Sequence, residues 1–313
     1  MTAPLQVAVV GHSNVGKTSL VAALTRDARL EIREEAGTTR SRTRSVFSIH
    51  GEPVVAFVDT PGFETAGRIN AWLDAAAGPA AQAPDGRALL EGFLADAATD
   101  ATFAEEKEAL RGALEAEVLA YVADVTASPS GQQRQEIRLL RRAGVPLIAV
   151  LNVLREGEDQ RAGWVDLLRR EGVDSHVPLD AHDFPADQER HFYEALALLR
   201  PEQAEALGRV AGLRAAQAGA QRRASAELIA ALLVDCLSFR EVQEHGDESV
   251  AKAHRREANE AYKRQLRRRE QRAFEGLAAA FGFEGASVEG ERLDVQSWSG
   301  DVQGDLFDPD ALR

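Results

Sequence analysis

Apolar and polar positions along this chain change period several times, and the changes mark out its elements. Residues 5–10 form a short apolar run that reads as a buried strand, as do residues 118–125 and 146–150. Helix-forming segments separate them, residues 19–26 after the first run and 132–143 between the other two. Such alternation predicts an α/β fold with a doubly wound, mostly parallel sheet. Residues 44–50 and 53–58, split by Gly51-Glu52, read as a hairpin. The polar segment 27–44 before them reads as a mobile loop. Residues 66–117 are rich in Ala, Glu and Leu, with breaks at Gly78-Pro79 and Pro84-Asp85-Gly86. They predict two or three helices, inserted before the next strand as a lid or partner surface.

Past residue 186 the pattern becomes helical. Residues 187–200 read as the closing helix of the first domain, residues 1–200, with Pro201 at the boundary. Residues 202–281 are almost wholly helix-forming and broken near Gly246. Leu228, Ile229, Leu232, Leu233 and Leu237 make an apolar stripe that suits a helical hairpin or small bundle over residues 201–283. Residues 284–313 are rich in Gly and Asp, and partial disorder is expected there, with Trp298 and Leu306-Phe307 as points that can dock.

Composition narrows the class. The chain has 313 residues, 44% apolar and 28% charged, enough for one large domain and a smaller unit. A net charge of −13 excludes a uniformly nucleic-acid-coating protein, so any basic surface is local. The one local basic surface is residues 252–272, which include Arg267-Arg268-Arg269. It offers contact with RNA, an acidic partner or an anionic membrane face, against the plainer reading of a solvated helix face. The single cysteine, Cys236, fits a reducing compartment, and the absence of a basic-then-apolar leader pattern leads us to expect a cytoplasmic protein. The longest apolar stretch, residues 224–239, is interrupted by Glu227 and Asp235 and reads as a buried helix.

The chemistry concentrates between the first strand and the first helix. There Gly11-His12-Ser13-Asn14-Val15-Gly16-Lys17-Thr18 has the spacing G-x-x-x-x-G-K-[ST] of a phosphate-binding loop. Two glycines let the backbone turn tightly and bring its N–H groups up to phosphate oxygens. The following helix adds a field that favours an anion. Lys17 is expected to reach the β- and γ-phosphates and Thr18 to ligate Mg2+. The Gly37-Thr38-Thr39-Arg40 segment sits where a nucleotide-sensing loop belongs, with Thr39, or Thr38 in its place, completing the Mg2+ shell. Asp59-Thr60-Pro61-Gly62 ends an apolar strand, so Asp59 can hold Mg2+ through water and the Gly62 N–H can approach the γ-phosphate.

These three motifs, in this order, resemble the TrmE–Era–EngA–YfjP group of translation-factor-related GTPases, and the likeness covers about the first two-thirds of the chain. The resemblance is nearest to a bacterial branch with a helical C-terminal region. It implies a P-loop GTPase binding GTP and GDP with Mg2+, acting as a switch. The nucleotide site it implies is Gly11, Asn14, Val15, Gly16, Lys17, Thr18 and Ser19, with Asn152 and Asp180 near the base. Lys17, Thr39, Gly62 and Asn14 are the implied catalytic residues. Thr18, Thr39 and Asp59 are the implied Mg2+ ligands. Asn14 stands where several members coordinate an activating K+. Phe63 replaces the water-orienting glutamine of Ras-like enzymes, and Glu64 is a candidate acidic aid. Relatives activated by K+ often pair through their nucleotide domains, so a nucleotide-dependent homodimer and a protein effector of the helical region are further implied partners.

The sequence departs from the group at the fourth motif. N-K-x-D is replaced by Asn152-Val153-Leu154-Arg155, so the stacking lysine and the base-reading aspartate are missing. The fifth motif survives at most as Asp180-Ala181-His182, and Asp180, Asp183 or another acidic residue of a nearby loop is left to replace the lost carboxylate. Three readings therefore stay open: a slow GTPase switch, a nucleotide-gated binding module with negligible hydrolysis, and an ATP-specific enzyme.

Overall fold

A computed structural model describes residues 3–25, 31–36, 43–49, 51–78, 85–153, 157–180, 186–240 and 251–281. Contact clustering divides the chain into a first unit, Met1–Gly219, and a second, Ala220–Arg313.

Among the described residues the first unit is built on seven strands: β1 (Leu5–Gly11), β2 (Glu31–Ala36), β3 (Thr43–Ile49), β4 (Glu52–Asp59), β5 (Val118–Asp124), β6 (Leu147–Asn152) and β7 (His176–Pro178). Their order in the sheet is β2-β3-β4-β1-β5-β6-β7. β1 lies parallel to both β4 and β5, and β5–β6 and β6–β7 are parallel as well. Only β2–β3 and β3–β4 run antiparallel. The central strands are buried on both faces. Ala8 and Val10 of β1 join one core with Leu119, Tyr121 and Leu151, while Val7 and Val9 join the other with Val118, Val122 and Val150. That is the period-two geometry of a strand covered on both sides, and it explains why these segments read as continuous apolar runs.

Helices supply the two covers. On the first face lie α2 (Ala66–Ala77), α3 (Gly86–Ala95), α4 (Ala104–Glu115), α5 (Gly131–Arg141) and α6 (Arg161–Arg170). On the second lie α1 (Lys17–Thr25), α7 (Ala186–Leu199) and the start of α8 (Ala204–Ser238). The doubly wound α/β sheet followed by a helical region is as the sequence predicts.

Three local expectations change. Residues 31–36, read as part of a loop, form an edge strand. Its antiparallel ladder to β3 supplies the hydrogen bonds, so no apolar alternation is needed for it to form. Thr38, Thr39 and Arg40 lie outside the described residues. The inserted helices α3 and α4 are part of the core: Leu90, Phe93 and Leu110 are fully buried, and Phe93 meets Trp72 and Phe103 edge-on at 5.2 and 5.5 Å. The first unit also runs past Pro201, because the first half of α8 buries Leu207 and Val210 in the second core. Arg214 there pairs with buried Glu189 of α7 at 3.0 Å, stacks over Phe47 and donates to the carbonyl of Leu24.

The second unit pairs the rest of α8 with α9 (Ala251–Ala280). Asp235 meets Arg269 at 2.9 Å, Phe239 stacks on Tyr262, and Leu228 lies over Gly276. Those pairings run in opposite directions along the two helices, so they form an antiparallel hairpin. Of the predicted stripe, however, Ile229, Leu233 and Leu237 are exposed. Residues 224–239, read as a buried helix, bury only Cys236 because a single partner helix covers one side. Cys236 is buried in this hairpin.

Because Phe93 sits in the shared core, Phe93→Ala should lower the stability of the first unit by about 3–5 kcal/mol, read from denaturant unfolding. A change near zero would mean that α3 and α4 are a detachable cover.

Candidate functional site

The site grows from the carboxyl end of β1. Gly11 has φ +145°, and a Cβ there would lie 2.5 Å from the carbonyl oxygen of Val122 on β5. A side chain is therefore excluded by the strand next door. The loop turns back through Asn14 at φ +60°, the one non-glycine residue with positive φ among the described residues, and through Gly16 at φ +91°. Asn14 tolerates this region better than most side chains do. The Gly16 carbonyl then accepts the Leu20 N–H at 2.9 Å and starts α1. The sequence places this helix start at Ser19; the structure moves it to Lys17.

Lys17 is almost fully buried. Its ammonium folds back across the loop to the carbonyl oxygens of His12 at 2.6 Å and Gly11 at 3.4 Å. Burial lowers its pKa, against the opposing pull of Asp59 and Glu136. Beside it, Thr18 Oγ1 donates to Asp59 Oδ2 at 2.7 Å, while Asp59 Oδ1 is buried and has no hydrogen-bond partner. Burial raises the Asp59 pKa, countered by the bond from Thr18 and by the Lys17 charge. A hydroxyl and a carboxylate in contact, with one carboxylate oxygen unsatisfied, fit the sparse protein share of a Mg2+ shell whose other oxygens come from phosphates and water.

The segment after β4 is fastened to the same loop. Thr60 Oγ1 donates to the Val9 carbonyl at 2.8 Å, and the Phe63 N–H donates to Gly11 O at 3.1 Å. Ser13 Oγ donates to Glu64 at 3.0 Å, and Gln132 of α5 donates to the Glu64 carbonyl. Between them, a Cβ on Gly62 would lie 2.5–2.6 Å from Ser13 Oγ, Cα and N. Glycine at 62 is thus required by the close passage of two backbones. Phe63 is fully buried in the first core, so its side chain belongs to packing and offers nothing polar to the site.

Asn152, at the end of β6, is fully buried and donates to the Val15 carbonyl at 3.0 Å. Its role is to tie the fourth-motif strand to the phosphate loop. Asp180 follows β7, and its N–H donates to Gln188 of α7 at 2.8 Å. Val15 is buried; Ser19, Thr18 and Asn14 are exposed. Arg155, His182 and Asp183 lie outside the described residues. The structure thus gathers Gly11–Thr18, Asp59, Gly62 and Asn152 at the carboxyl ends of β1, β4 and β6.

One part of the site has no counterpart in the sequence reading. Behind the loop, fully buried Glu136 of α5 bonds His12 Nδ1 at 2.8 Å and accepts from Tyr121 Oη at 2.9 Å. Burial raises the Glu136 pKa, with the bond to His12 acting against it. The chain Tyr121–Glu136–His12 holds the residue whose carbonyl receives Lys17. Its signal in the sequence was an acid beside Ile137 and Leu140, on what is otherwise the apolar face of a helix.

Residues 6–153 match the family model described as 50S ribosome-binding GTPase, and residues 166–313 match a domain of unknown function, DUF3482. The second match begins inside α6, so β7 and α7 fall within it. GTPase Der of Maridesulfovibrio salexigens is 27% identical over 180 residues, 56% of this chain and 33% of that protein. GTPase Der of Akkermansia muciniphila is 43% identical over 65 residues, 21% of this chain and 14% of that protein. The matched stretches thus span a third or less of the length of these relatives. A solved structure of Era with MgGDPNP and nucleotides of 16S ribosomal RNA is similar with a TM-score of 0.41 and 21% identity, covering 62% of this chain and 57% of that one. The chain carries a P-loop GTPase domain of the TrmE–Era–EngA kind, followed by a region of the DUF3482 family.

Proposed function

We propose that this protein is a GTP-binding switch that hydrolyses GTP slowly with Mg2+. The observation that carries the reading is the contact of Thr18 with Asp59 beside the buried ammonium of Lys17. Lys17 exchanges its carbonyl partners on Gly11 and His12 for oxygens of the β- and γ-phosphates. Backbone N–H groups of the loop and the start of α1 hold the rest of the phosphate charge. Thr18 and Asp59, with Thr39, would hold Mg2+, which would supply charge neutralisation at the phosphates. The Gly62 N–H approaches the same group. Attack is by water, and Phe63 cannot orient it, so turnover depends on K+ at Asn14 or on a second copy. Turnover in KCl against NaCl tests the first.

Guanine is favoured by the GTPase family that residues 6–153 match, with Asp180 as the candidate base reader. A second reading, adenine, rests on Arg155 standing where the guanine-reading aspartate belongs. The helical region is the effector element in either case. It responds through the Thr39 loop and the Gly62 segment as the γ-phosphate comes and goes.

Displacement of a fluorescent nucleotide should be far stronger with GDP than with ADP; the reverse order would move the reading to adenine. Lys17→Ala should weaken triphosphate binding about 100-fold, since charge-assisted bonds are worth about 1.5–3 kcal/mol each. An unchanged Kd would remove the site assignment. Affinity should also fall on both sides of neutrality. As pH drops, protonation of Asp59 begins above the ordinary value of 3.8 and removes a metal ligand. As pH rises, Lys17 loses its charge below the ordinary 10.5. Asp59→Asn should raise the Mg2+ requirement and flatten the acid limb alone, measured by binding at several pH values.

A further inference from the structure

Ala8 and Val10 of β1 belong to the first core, and the period-two alternation of a strand carries position 12 to the same face. An apolar residue is expected there. Instead the His12 ring meets Glu136, whose side chain is wholly buried, at 2.8 Å, and Tyr121 Oη donates to the other oxygen of that carboxylate. Each oxygen of Glu136 thus has a partner. An aliphatic pair at positions 12 and 136 would fill this space without the cost of desolvating a charge, so packing alone does not account for the arrangement.

The backbone of His12 meanwhile serves Lys17. The Gly11 carbonyl is shared, accepting the Phe63 N–H at 3.1 Å and the ammonium only at 3.4 Å. The His12 carbonyl, at 2.6 Å, is therefore the principal acceptor. Two carboxylates act on the buried ammonium, Asp59 and Glu136. They differ in place. Asp59 ends β4 in contact with Thr18, on the side where metal and phosphates are held, whereas Glu136 belongs to α5 behind the loop. Besides Tyr121, the groups that act on Glu136 are His12, in direct contact, and Lys17. A buried carboxylate that loses a partner draws in the next available cation, because little water is present to replace the bond.

We propose that His12 is a positioning residue for Lys17: by occupying Glu136 it keeps the ammonium on the loop's carbonyls, where the β- and γ-phosphates arrive, and out of the core behind. Its ring acts through Lys17 alone, so this role rests on the phosphate site proposed above. Without the imidazole, Glu136 keeps only Tyr121, and Lys17 exchanges the neutral His12 carbonyl for a carboxylate. An incoming triphosphate then has to break a buried ion pair, whereas a carbonyl is given up at little cost.

Titration of the full chain with a fluorescent GTP analogue tests this. His12→Ala should weaken binding about tenfold, the worth of one charge-assisted bond. His12→Asn should restore it, since an amide can donate or accept at the place of Nδ1. Glu136→Gln removes the charge that captures Lys17. Alone it should change affinity little, and combined with His12→Ala it should recover most of what was lost. A merely structural role expects the opposite, a further loss from a second change in the core. In a Lys17→Ala background, His12→Ala should add nothing. His12→Phe keeps a ring in the same space and carries the same comparisons if the alanine variant does not fold, as judged by circular dichroism. Three results overturn the proposal: unchanged affinity in the His12 variants, no recovery on adding Glu136→Gln, and a His12 effect that persists without Lys17. Lys17→Ala by itself separates the two failures. An unchanged Kd there removes the phosphate site and the part of His12 with it, whereas a weakened Kd beside any of the three results removes the part of His12 only.

Discussion

The site depends on one crowded place, where β1 ends between two parallel neighbours. Gly11 passes so close to the Val122 carbonyl that no side chain fits, and the chain leaves the sheet there in a conformation only glycine adopts freely. From that exit the crossovers diverge. α1 covers the core face holding Leu20 and Leu24, whereas α2 after β4 covers the face holding Ile69 and Leu73. A cleft at the carboxyl ends of the strands follows from that divergence. Each further feature is a tether to the same spot: Thr60 to Val9, Asn152 to Val15, Phe63 to Gly11.

Local sequence carried much of this because a phosphate loop is a local device. Its glycines, Lys17 and Thr18 act within one strand, one turn and one helix, and Asp59 is marked by the strand it ends. The continuous apolar runs of β1, β5 and β6 were equally plain, since strands buried on both faces leave little room for polar residues. What escaped was set by tertiary partners. β2 has no apolar alternation and exists through its ladder to β3. Glu136 stands on the apolar face of its helix, but its partners, Tyr121 and His12, are brought beside it only by the fold. The extension of the first unit to residue 219 depends on Arg214, whose partners Glu189, Phe47 and Leu24 come from three distant elements. No window of sequence contains that set.

Arg214 also shows why a proline is a poor domain marker here. Pro201 interrupts the helical pattern, yet the chain resumes as a 35-residue helix whose first half is as firmly part of the nucleotide domain as α7. An ion pair buried to this degree is costly to break from one side, by about 3–5 kcal/mol. Core packing and the pair therefore hold α8 at its start, and the leucine-rich half beyond Gly219 is left to pair with α9.

The solitary thiol has a consequence of its own. Cys236 is buried where α8 meets α9, and burial raises its pKa. A protein with a single sulfhydryl gives one labelling signal, and here that signal belongs to the hairpin alone. Its rate of modification reports how often α8 and α9 part, with the nucleotide domain spectroscopically silent in the same experiment. Opening of the α8–α9 hairpin can thus be timed in the intact chain, with and without triphosphate, and no probe need be introduced.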